Sequence, residues 1–96
     1  MKPYVKKLST KGREIYDAFV YALRHRAHNM LAEEIPSYDF HNDEYYHIKG
    51  FCSGVSYALP TYEEYKVLED ALYEEFKKVM NNYDNKWEVI ERGNFK

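Results

Sequence analysis

The chain has 96 residues, of which 45% are hydrophobic and 31% charged, which is typical of one globular domain spanning residues 1–96 and excludes an intrinsically disordered chain. It has no run of about eighteen apolar residues as in a membrane helix, no recognisable signal peptide and one cysteine, Cys52, so a soluble cytoplasmic protein is predicted. The net charge of −2 conceals a segregation of charge: residues 1–32 hold seven Lys and Arg against two acids, and residues 33–75 hold eleven acids against two Lys.

Residues 10–35 have the periodicity of an α-helix, and Ser9 or Thr10 can cap its first N–H groups. The apolar stripe of this helix is wider than a helix lying on one sheet needs, and it includes a cation, Arg26. The helix is therefore either covered on two sides or in contact with another chain, and we expect a homodimer. The expected dimer interface consists of Tyr16, Val20, Arg26, Ala27 and Leu31.

A loop and a β-hairpin are predicted after this helix. Pro36 and the polar residues 37–42 are typical of a loop. Residues 45–49 and 55–59 have the composition of two short strands, and residues 50–54, with two glycines, are suited to the turn between them.

A second amphipathic helix begins after Pro60, where Thr61 and Glu64 have the spacing of a capping box. Residues 86–91 alternate as in a last strand. The predicted fold is α+β, with two amphipathic helices on a small antiparallel sheet in the order α-β-β-α-β. If residues 3–8 form a further strand, the order becomes β-α-β-β-α-β, as in a ferredoxin-like sandwich. The stripe of the second helix is expected to comprise Tyr65, Leu68, Leu72, Phe76, Val79 and Tyr83, opposite an outward face of Glu63, Asp70 and Glu74.

Few residues indicate chemistry. Asp39, His41, Asp43 and His47 offer possible zinc or manganese ligands, but their spacing suits capping and turn residues equally well. Cys52 lies in a predicted turn and has no evident base, which favours a structural thiol over a nucleophile. We therefore predict no metal, no cofactor and no enzymatic activity, with a small metal-dependent hydrolase at His41 and His47 as a weaker alternative.

The acidic middle segment is the strongest functional indication. Its carboxylates interleave with tyrosines, and such a surface can imitate the phosphates and bases of nucleic acid. We predict a non-catalytic protein-binding module, for instance a phage-type inhibitor that occupies the nucleic-acid channel of a partner enzyme. The alternative, that these acids form only a solvated helix face, stays open. The predicted partner-binding residues are Glu44, Tyr45, Tyr62, Glu63, Asp70, Tyr73 and Glu74.

A second hypothesis is nucleic-acid or nucleotide binding through the basic N-terminal side. It uses Lys6, Lys7, Lys11, Arg13 and Arg24 together with Tyr4 and Tyr21.

Two short segments resemble known families. Residues 8–16, Leu-Ser-Thr-Lys-Gly-Arg-Glu-Ile-Tyr, resemble the segment that opens the dimerisation helix of MarR-type winged-helix repressors. This resemblance implies dimerisation through helix 1. Residues 49–51, Lys-Gly-Phe, resemble the start of the RNA-contacting strand of an RRM, and the likeness ends at Cys52.

Overall fold

A computed structural model describes residues 8–59 and 61–94 and shows three α-helices. Helix α1 spans Thr10–Ala32, α2 spans Ser37–Val55 and α3 spans Tyr62–Asn94. Within the described residues there is no strand, so the predicted α+β class is wrong and the protein is a helical bundle. The possible strand at residues 3–8 lies, apart from Leu8, outside the described residues.

The predicted hairpin is replaced by α2. Residues 45–49 lie within α2, and the helix continues through the two glycines at which a turn was expected. The buried side chains Phe40, Glu44, Ile48 and Cys52 repeat every four residues, which is the spacing of one helix face. Because a carboxylate occupies the second of these positions, the row does not read as an apolar stripe in the sequence.

The predicted last strand is likewise helical, because residues 86–91 belong to α3. Trp87 follows the buried Tyr83 by four residues and precedes the partly buried Ile90 by three, so all three share one face. Over only six residues such a stripe also satisfies the alternation of a strand.

The start of α1 confirms the predicted cap. The Ser9 hydroxyl accepts a hydrogen bond from the Gly12 N–H at 3.1 Å, and the backbone N–H of Ser9 donates to Oε1 of Glu64 at 2.8 Å. Gly12 permits this close approach, because a Cβ at that position would lie 2.8 Å from the same Glu64 oxygen. The Glu64 N–H in turn donates to Oγ1 of Thr61 at 3.1 Å, so half of the predicted capping box is formed and the Glu64 carboxylate is directed to α1 instead.

A Schellman motif ends α1. The Ile35 N–H donates to the Met30 carbonyl and the Glu34 N–H donates to the Leu31 carbonyl, both at 3.0 Å. Glu34 adopts a left-handed conformation with φ of 58°, which glycine usually supplies at this position. The chain then reverses at Pro36 into α2.

Helices α1 and α3 run parallel, and α2 is antiparallel to both. Ser9 contacts Glu64 at one end of the bundle, and the Tyr83 hydroxyl donates to the Ile35 carbonyl at the other. Helix α2 begins at this second end, at Ser37. The core contains residues of all three helices, and its fully buried large apolar side chains are Tyr83, Phe40, Leu23, Ile48, Leu68 and Leu72. The apolar stripe predicted for the second helix is therefore confirmed within α3.

Candidate functional site

The wide apolar stripe of α1 is covered on two sides by its own chain. Tyr16 and Val20 are buried in the core, and Leu31 packs against it. Ala27 lines a depression between α1 and α3, whereas Phe19 contacts Phe51 of α2 with ring centroids 4.6 Å apart. Two-sided cover was one of the two explanations that the sequence left open. Tyr16 and Val20 thus lie in the core of the chain and not on a free face, and dimerisation stays a prediction.

Arg26, the cation inside the stripe, has a buried partner. Its Nε donates to Oε1 of Glu44 at 2.6 Å, and one terminal nitrogen donates to Oε2 at 2.9 Å. Both carboxylate oxygens of the fully buried Glu44 are therefore satisfied. Glu44, predicted as a partner-binding residue, instead joins α2 to α1 inside the fold.

The other predicted partner-binding residues lie at the surface of α2 and α3. Glu63, Asp70 and Glu74 are exposed along the outer side of α3, as predicted, and we call them the acidic row. Tyr62 at the start of α3 is 74% exposed, and Tyr45 on α2 is 46% exposed.

An aromatic groove, which the sequence did not reveal, lies between α2 and α3. Its volume is about 410 Å³. Four of its lining residues come from α2, where His41, Asn42 and Tyr45 follow Tyr38 by three, four and seven residues, and Phe76 comes from α3. We call these five residues the tyrosine groove. Helical periodicity is the signal that identifies this set, and it was hidden by the prediction of a loop and strand.

Tyr73 connects the tyrosine groove with the acidic row. Its ring meets that of Phe76 edge to face, with centroids 6.2 Å apart, and it follows Asp70 of the acidic row by three residues, about one helical turn. Burial raises the pKa of the Tyr73 hydroxyl, with smaller contributions from the neighbouring Cys52 and Glu69. The hydroxyl therefore stays protonated at neutral pH and is able to donate a hydrogen bond.

One carboxylate organises the α2-facing side of α3. Glu69 accepts hydrogen bonds from the Tyr65 hydroxyl at 2.9 Å and from Nζ of Lys66 at 2.8 Å. The bond from Lys66 holds the pKa of Glu69 below its usual range, and the bond to Glu69 raises the pKa of Tyr65 to about 12. The charge of Glu69 is thus already balanced, whereas the three carboxylates of the acidic row are exposed to solvent.

The candidate metal ligands separate when α2 forms. His41 Nε2 lies 2.8 Å from Oδ1 of Asp84 on α3, which also accepts from the Ser37 hydroxyl. Asp43 and His47 lie on another side of α2, close to Glu44. The ligand atoms of Asp43, Glu44 and His47 lie within 4.8 Å of one another, and both Glu44 oxygens also accept from Arg26.

Cys52 is buried, and burial together with the nearby Glu69 carboxylate raises its pKa to about 11. The thiolate is the reactive form, so we expect alkylation at pH 8 to be about 100-fold slower than that of a free thiol. Iodoacetamide labelling followed by mass spectrometry measures this rate, with the protein unfolded in urea as the control. Equal rates in the folded and unfolded protein would contradict the buried, protonated thiol.

The residues of the nucleic-acid hypothesis are only partly described. Tyr4, Lys6 and Lys7 lie outside the described residues. Tyr21 stacks on His25 with centroids 6.0 Å apart, and Arg24 pairs with Glu75 at 3.1 Å. Nucleic-acid binding through this side of the protein stays a prediction.

None of the three described helices combines the length and the apolar content that crossing a membrane requires. No protein-family model, curated protein or solved structure matches this chain. Its function is therefore inferred from the arrangement of its own residues.

Proposed function

We propose that this protein is a non-catalytic module that binds another protein through the tyrosine groove and the adjacent acidic row. The observation that carries the proposal is the convergence of exposed tyrosines from α2 with Tyr73 and Phe76 of α3 beside exposed carboxylates. Tyrosine supplies a large, rigid contact area at low entropic cost, and it is enriched at sites that dominate binding energy.

The chemistry of the surface defines the partner. The acidic row repels polyanions and attracts a basic surface, and the groove accepts an apolar or cationic side chain between aromatic rings. A protein with a basic groove that handles nucleic acid has both features. The module would then act as an inhibitor or regulator by occupying that groove.

The acidic row is tested by a triple charge reversal, E63K, D70K and E74K. The wild-type protein is used to capture partner proteins from an extract of the cells in which it naturally occurs. We expect the triple variant to capture fewer of them, because charge reversal replaces attraction by repulsion. The matched control reverses three exposed acids elsewhere, E14K, D17K and E33K, which changes the net charge equally. Quantitative mass spectrometry of the captured proteins measures the difference. If both triple variants capture the same proteins as the wild type, the acidic row is only a solvated face.

The tyrosine groove is tested separately, with a partner protein that the wild type captures and the E63K, D70K and E74K variant does not. Tyr38→Ala and Tyr45→Ala are expected to weaken binding by about tenfold or more each, the effect of removing a central aromatic contact. Tyr57→Ala is the control, because Tyr57 is 91% exposed and does not line the groove. Isothermal titration calorimetry gives the affinities.

A further inference from the structure

A basic groove lies on the opposite flank of α3, where α3 faces α1. Because the two helices run parallel, the second half of α1 lies beside the second half of α3. Arg24 and His28 of α1 thereby come to face Lys78 and Lys86 of α3. The basic residues near the two ends of the sequence, which the acidic middle separates, thus meet on one surface.

The floor of this groove combines apolar side chains with one amide, that of Asn82. Two depressions, of about 270 and 80 Å³, share Ala27, Val79 and Asn82 and so form one continuous groove. Leu31 extends the apolar floor toward the end of α1. Ala27, Leu31 and Val79 thus form an apolar patch, next to the Asn82 amide, between basic side chains of α1 and α3.

The groove retains positive charge after its internal ion pairs are counted. Glu75, the single acid in its lining, is buried and accepts from Arg24 at 3.1 Å, and it lies 3.8 Å from Nζ of Lys78. His28 and Lys86 have no ion-pair partner among the described residues, and both are exposed. A ligand that binds next to His28 and Lys86 therefore does not have to break an ion pair within the protein.

From this combination we infer that the basic groove binds an acidic amphipathic helix of a partner protein. The rim residues are spaced by four residues on α1 and by eight on α3, which is about one and two helical turns. Carboxylates one turn apart on a docked helix match that spacing, and leucines between them cover Ala27, Leu31 and Val79. A phosphate backbone would satisfy the cations but would leave the apolar floor in contact with water, so the floor favours a helix over nucleic acid.

The groove occupies a different flank of α3 from the tyrosine groove and the acidic row. The inference therefore does not depend on the proposed function. A protein with both surfaces in use would connect two partners.

The test uses the full-length protein and a fluorescent helical peptide of about 18 residues, or five turns, with leucines on one face and glutamates on both sides of it. We expect binding that weakens with added salt and is reduced about tenfold by Lys86→Glu, a loss of about 1.4 kcal/mol. Lys77→Glu is the matched control, because Lys77 is exposed on the same helix but does not line the groove. Circular dichroism verifies that both variants are folded. Fluorescence anisotropy gives the affinities.

Four outcomes would overturn the inference. No binding of the glutamate peptide up to about 1 mM means that the groove does not take an acidic helix. Tighter binding of oligo(dT), with the same loss in Lys86→Glu, means that the groove takes nucleic acid. A concentration-dependent dimer mass by light scattering that Lys86→Glu abolishes means that a second copy of this chain occupies it. Equal loss of peptide binding in Lys77→Glu also contradicts a specific groove.

Discussion

Arg26→Ala is expected to lower the free energy of unfolding by about 3 kcal/mol, because it leaves the fully buried Glu44 carboxylate without its cation. Removing one partner of a buried ion pair typically costs about 3–5 kcal/mol. The lower end applies here because the Arg26 side chain is 30% exposed, so water reaches the position that the guanidinium vacates. Urea unfolding followed by circular dichroism measures the change.

Two further variants separate the ion pair from other effects. Arg26→Met combined with Glu44→Leu removes both charges, and we expect it to recover most of the stability. Arg24→Ala is the comparison at the second buried carboxylate, Glu75. Its expected cost is only about 1 kcal/mol, since Arg24 is 65% exposed and the carboxylate keeps Tyr16 and Lys78 as neighbours. A loss below about 1 kcal/mol in Arg26→Ala would show that Glu44 does not carry a buried charge.

Phe40→Ala is expected to destabilise the bundle by about 3–5 kcal/mol, the range for removal of a large buried aromatic side chain. Phe40 has no exposed surface, and its ring stacks on that of Tyr83 with centroids 4.1 Å apart and planes 12° from parallel. The Tyr83 hydroxyl donates to the Ile35 carbonyl at the junction of α1 and α2. A cavity here therefore loosens all three helices at one end of the bundle.

Phe51→Ala is the control for the size of this effect. Phe51 is only partly buried and contacts Phe19 near the other end of α2, so we expect a smaller loss. Thermal unfolding gives the stability of both variants, and near-ultraviolet circular dichroism reports on the packing of the aromatic side chains as a whole. A Phe40→Ala midpoint equal to that of Phe51→Ala would contradict a packed aromatic core at this position.

Helix α1 and the part of α3 up to Tyr83 were predictable because local signals agree with tertiary packing. Ser9 caps α1, Thr61 precedes α3, and the stripe from Leu68 to Tyr83 is buried along one face. The acidic row also follows from this period. Each of these features depends on residues within a few turns of one another, which a sequence displays directly.

Helix α2 and its site were not predictable from local pattern. Glu44 lies in the middle of the buried face, and its burial depends on Arg26, eighteen residues earlier. Adjacent residues on a helix differ by about 100° in direction, so Tyr45 points outward while Glu44 points inward. The tyrosine groove further requires Phe76 from another helix, and the sequence gives no sign of that pairing.

The position of Glu64 connects the beginnings of two helices that are more than fifty residues apart in sequence. Its backbone amide belongs to the first turn of α3, while its carboxylate accepts a hydrogen bond from the backbone amide of Ser9, the residue before α1. Opening the first turn of α1 or of α3 removes a hydrogen-bond partner from the other turn. The two turns should therefore unfold as one cooperative unit. In hydrogen exchange, the amides of Gly12 and Tyr65 should then share one opening free energy, and Glu64→Ala should accelerate the exchange of both.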